Sequence, residues 1–209
     1  MDNYQIARDR AQEYFLQFDQ NAIVARWHLT HDENYLYVDF IGRPYAVCRS
    51  TGRIDRLFDG KQAGFSEVLS IFDFLCHKGT DQFLTGRFAP VNSLRGRPVT
   101  SGVETGFYVK TAKYFEEHID ALKAACSSLG GTPVQMGDVG FSLPVFGQLR
   151  AIMKFYESDE DFPASITFLW DENMLSFVFY ETVFYVAGFI LEAICEQIRN
   201  TDNQGEGLS

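Results

Sequence analysis

Apolar residues recur at helical spacing over residues 2–18, where Ile6, Tyr14, Phe15 and Phe18 share a face and Arg8, Arg10 and Glu13 turn elsewhere. This predicts a first helix. A period of two follows: Ile23, Ala25, Trp27 and Leu29 alternate with Val24, Arg26, His28 and Thr30, and 35–40 and 45–49 continue the pattern. These runs read as three strands joined by polar turns at 30–34 and 42–44, an antiparallel meander. Residues 66–78 predict a helix with Ser66 as N-cap, Gly79 just past its end, and Val68, Leu69, Phe72, Leu75 and Cys76 on one face. His77 and Lys78 fall in its last turn, where positive charge suits the helix dipole.

Residues 79–107 are rich in glycine and lack a long periodic stretch, so only a short strand at 88–94 is expected there. Residues 108–129 predict a long helix, with Phe115, Ile119, Leu122, Cys126 and Leu129 on one face and Gly130-Gly131 as its stop. Strands are expected at 139–146, 149–156 and 164–170. The last helix, 180–199, is apolar almost all round, and Glu181, Glu192, Glu196 and Arg199 form one narrow stripe. The polar tail 201–209 reads as disordered. The order implies an α+β fold of antiparallel strand meanders packed by helices. It is compatible with two similar α-βββ-α halves within a single domain over 1–200.

Composition narrows the class. No apolar run approaches the ~20 residues that span a bilayer, and residues 1–10 have no apolar h-region. Cys48, Cys76, Cys126 and Cys195 lie far apart, without the close pairs of a zinc site, and read as free thiols in a reducing compartment. A cytoplasmic protein away from membranes is the expectation. Residues 1–156 hold 17 basic and 17 acidic side chains, whereas 157–209 hold 11 acidic and one basic, which accounts for the whole net charge of −10. Such a surface repels phosphate backbones, so no nucleic-acid partner is expected.

Several strings in the second half are distinctive: Leu129-Gly130-Gly131, Gly137-Asp138, the turn from Glu157 to Ala164, Phe168 to Asn173, and Tyr180 to Tyr185. The chain here resembles the bacterial and archaeal family known as domain of unknown function 3786. The likeness is strongest over residues 125–190, with Asp161 where that family usually has Glu and Trp170 where it usually has Phe. The resemblance implies a cytoplasmic prokaryotic protein and carries no activity with it.

The residues that could carry chemistry are mostly carboxylates. Glu157, Asp159, Glu160 and Asp161 crowd one turn, Asp171 and Glu172 end the next strand, Asp138 precedes the meander and Glu181 opens the last helix. Hard cations need several oxygens converging on one point, and a meander puts the two ends of a strand at opposite edges of the sheet. The plainer reading is a solvated turn, and no metal is assigned. Arg87, Arg95 and Arg97 among glycines could form an anion site, but no phosphate-loop motif supports it, and pairing with the acidic C-terminal region is the simpler account. No nucleophile motif is present: Gly140-Phe141-Ser142-Leu143-Pro144 lacks the last glycine of an esterase elbow. No catalytic residue or cofactor is therefore named. The leading expectation is a non-catalytic binding or accessory protein with an acidic C-terminal surface, its protein partner or small ligand unidentified. The alternative is a small-molecule or metal-dependent enzyme using the carboxylates of residues 138–181.

Overall fold

The computed structural model describes residues 3–79, 82–97 and 106–206. Helix α1 (Asn3–Phe15) is followed by a second short helix, α2 (Gln20–Trp27), where alternation predicts a strand. Asp19 decides the matter locally. Its carboxylate accepts the amides of Asn21 and Ala22 at 3.0 and 3.2 Å, an N-cap that satisfies two otherwise unpaired donors. Ile23 and Trp27 are also four apart, so the same apolar residues serve a helix face.

Strands β1 (Tyr35–Phe40), β2 (Arg43–Cys48) and β3 (Ile54–Arg56) form an antiparallel sheet in that order. Helix α3 (Phe65–Cys76) starts at Gly64, two residues before the expected Ser66. Glu67 sets that start: its buried carboxylate accepts the Gly64 amide at 2.6 Å and the Tyr45 hydroxyl at 2.6 Å, and pairs with Arg56 at 2.6 Å. Among its described residues the irregular stretch contributes β4 (Phe88–Pro90) and one 3₁₀ turn.

The long helix expected over 108–129 is two helices, α4 (Gly106–Glu116) and α5 (Ile119–Ser128). His118 breaks the run with φ −138° and ψ 40°, and its ring nitrogen Nδ1 lies 2.8 Å from the Tyr114 carbonyl oxygen. Strands β5 (Thr132–Pro133), β6 (Val139–Pro144), β7 (Arg150–Tyr156) and β8 (Ser165–Asp171) join β4 in a second antiparallel sheet of order β4-β8-β7-β6-β5. The fold is α+β, with two antiparallel sheets of three and five strands among the described residues. Helix α6 (Tyr180–Glu206) buries Val183, Val186, Ala187, Ile190, Leu191, Ile194 and Ile198. Its backbone stays helical to Glu206, beyond the expected start of the tail; 207–209 lie outside the described residues.

The sheets touch through aromatic rings. Phe40 and Phe146 bridge the two, and the Ile41 amide donates to the Val145 carbonyl at 3.0 Å. Phe146 stacks on Phe40 at 4.5 Å and on Phe74 of α3 at 4.3 Å, and Trp27 lies 4.3 Å from Phe74. This column runs from α2 through α3 and both sheets.

Candidate functional site

The predicted carboxylates do not meet at one point. Tyr156 pairs with Ser165 at one end of β8, beside the acidic turn, while Asp171 closes the other end. Seven residues of strand put the two groups about 20 Å apart. At the turn, the Asp159 carboxylate accepts the amides of Asp161 and Phe162 at 2.9 and 2.7 Å, and Asp138 accepts the Glu157 amide at 2.9 Å. The side chains of Glu157, Glu160 and Asp161 face solvent. Among the described residues no group of three or more His, Cys, Asp or Glu could hold a metal ion.

Asp171 has a different job. It is buried, and it accepts the amides of Thr85, Gly86 and Asn173 at 2.9, 2.8 and 2.9 Å and the Thr85 hydroxyl at 3.1 Å. The Asn173 side chain donates to the Phe83 carbonyl and Gln82 donates to the Ser176 carbonyl, each at 2.9 Å. These bonds pin the segment 82–87 to the end of β8. Glu172 beside them pairs with Arg87 at 2.9 Å and Arg95 at 3.7 Å, so two of the three candidate anion-site arginines face a carboxylate. Arg97 is exposed, next to residues 98–105 outside the described set.

The pinned segment is one wall of a cleft of about 640 Å³. The other walls come from the C-terminal end of α2, from β1, from the β6–β7 turn and from Phe177. Its apolar side carries half-buried Trp27, the little that buried Phe74 and Phe146 leave uncovered, and the exposed Phe83 and Leu84. The Trp27 indole N–H is buried without an acceptor among the described residues. Its polar side carries His28, Thr30, Asp39 and Gln148, four side chains that make no hydrogen bond or ion pair among the described residues. His28 stands at the C-cap of α2 with φ 51°, where its amide donates to the Val24 carbonyl. Glycine is the usual residue in that left-handed position, so the imidazole is held at the cleft at a conformational cost.

A second concavity, a groove of about 510 Å³, lies on the opposite side of the same wall. The last turn of α3 forms the partition: Phe74 faces the cleft while Asp73, Cys76 and His77 face the groove. Arg26, which lines the cleft, donates to the His77 carbonyl at 2.8 Å. Of the eight candidate carboxylates read from the sequence, Glu181 alone lines either concavity, at the rim of the groove.

A model of the family called domain of unknown function DUF3786 matches residues 19–193. The chain belongs to that family. No curated protein and no solved structure matches it. In this DUF3786 protein two glycines of the distinctive strings are structural. A side chain at Gly131 would sit 2.5 Å from the Cys126 carbonyl oxygen, and one at Gly137, already at φ 69°, would sit 2.6 Å from that of Phe155. The cleft residues lie outside those strings and carry no motif of their own. An Asp-capped helix ending on a histidine was the one local signal available.

Proposed function

We propose that this DUF3786 protein is a non-catalytic binding protein that holds a small, partly planar molecule in the cleft between α2, β1 and the β6–β7 turn. The observation that carries this reading is the set of four uncommitted polar side chains, His28, Thr30, Asp39 and Gln148, lining one cleft of about 640 Å³ with Trp27, Phe83 and Leu84. Ligand sites of this volume pair an apolar surface with a few convergent polar groups, and ring stacking with hydrogen bonds at the mouth fixes the orientation of a planar guest. The clamp around Asp171 supports the same reading, because it holds the loop that carries Phe83 and Leu84 in place before a ligand arrives, which lowers the ordering cost of binding.

Equilibrium dialysis against a small-molecule cell extract, read by mass spectrometry, tests it. Thr30→Trp fills the cleft from an exposed position, and Gln148→Ala removes one polar contact. The expected result is a compound enriched by the native chain, lost with Thr30→Trp and weakened about three- to tenfold with Gln148→Ala, the range one hydrogen bond supplies. No enrichment, or enrichment unchanged by Thr30→Trp, overturns the reading.

A further inference from the structure

The groove behind the cleft carries a different chemistry. Three large aromatics stand at its rim with much of their surface in water: Tyr14 is 52% exposed, Phe179 62% and Tyr185 40%. Exposed aromatic faces concentrated around one concavity are a mark of an interaction site. The charges around them are unequal in availability. Asp73 is engaged: its carboxylate accepts the Phe179 amide at 2.7 Å and the Thr182 hydroxyl at 2.6 Å, and lies 3.3 Å from His77 Nδ1. That carboxylate also compensates the positive end of the α6 dipole. Lys78 also lines the groove, its ammonium 4.9 Å from the ring centre of Phe18. Glu181 remains, exposed at the rim and without an ion pair among the described residues.

From this we infer a second ligand site, for a small organic ammonium cation, in the groove between α1, α3 and α6. Aromatic faces attract a cation through their quadrupoles, and the Glu181 carboxylate supplies the counter-charge. The Phe18–Lys78 contact is the same interaction made within the chain at one end of the groove. A volume of about 510 Å³ suits a small molecule and not a folded partner. Lys78 tunes the site, because its own charge opposes that of the guest.

The test uses choline and its neutral isostere 3,3-dimethylbutan-1-ol, titrated into the full chain and followed by backbone amide NMR. Choline is expected to bind in the millimolar range and to move the resonances of His77 and Phe179 to Thr182, with the isostere about tenfold weaker, the discrimination a cation–π contact gives. Glu181→Gln weakens choline about fivefold, Phe179→Ala abolishes its binding, and Lys78→Gln tightens it about twofold, as removal of a like charge should. Equal binding of choline and the isostere, or no effect of Glu181→Gln in a chain with an unchanged melting temperature, overturns the inference. Thr30→Trp, which blocks the cleft, leaves choline binding intact, so the two sites fail separately.

Discussion

Asp171 shows how a residue chosen for its chemistry can turn out to hold a backbone. With the amides of Thr85, Gly86 and Asn173 all donating to one buried carboxylate, Asp171→Ala leaves three amides, that of buried Asn173 among them, without their acceptor. A loss of about 2–4 kcal/mol is expected, read as a fall in the urea midpoint at unchanged slope, together with faster amide exchange at Thr85 and Gly86. A carboxylate at the end of a strand looks the same in sequence whether it meets solvent, a metal or a loop some 85 residues away, so nothing local marked the partner. The thiols divide by the same kind of local contact. Partial burial works against ionisation of Cys48, but the hydroxyls and amides of Ser50 and Thr51 outweigh it and bring that thiol down to about 7. Burial pushes Cys76 and Cys126 up to about 12. The thiolate is the reactive form and its fraction grows as pH rises through the pKa, so iodoacetamide should modify Cys48 first, with a rate that has its midpoint near pH 7. Equal labelling of Cys48 and Cys126 in the native chain would contradict this assignment.

Among the elements, those with one dominant period were legible: α1, β1, the three strands β6, β7 and β8, and the nearly all-apolar α6 were readable from their side-chain spacing. Helix α2 was not, because eight residues with Ile23 and Trp27 on one side satisfy both periods, and the Asp19 cap decides between them. The α4–α5 break was hidden for a related reason: Phe115, Ile119, Leu122 and Cys126 keep their helical spacing across His118, so the apolar pattern runs on where the backbone does not. The cap gives α2 two opposed predictions. Asp19→Ala removes the acceptor of two amides and should cost about 1 kcal/mol. His28→Gly relieves a left-handed non-glycine residue and should raise stability by up to about 1 kcal/mol while weakening the ligand of the cleft. A stability gain without loss of binding would make His28 a tolerated cap and remove it from the site.

At the scale of the molecule, both concavities depend on one partition, and that partition is held by the aromatic column. Phe146 is central to it, stacked between Phe40 and Phe74 and almost wholly buried, and it sits where the two sheets bridge. Truncation to alanine removes two ring stacks and opens a cavity, which should cost about 3–5 kcal/mol. The tryptophans report the two regions independently, Trp27 on α2 and Trp170 on β8, so Trp170→Phe and Trp27→Phe each leave one fluorophore. If the column couples the sheets, as the proposal of one domain over 1–200 requires, the two single-tryptophan chains unfold at the same urea midpoint, and Phe146→Ala lowers both together. Separate midpoints, or a Phe146→Ala effect confined to one fluorophore, would mean that the sheets fold as two units that merely touch. The cleft would then open by a displacement of one sheet from the other, and its volume would vary with that displacement instead of being fixed by a common core.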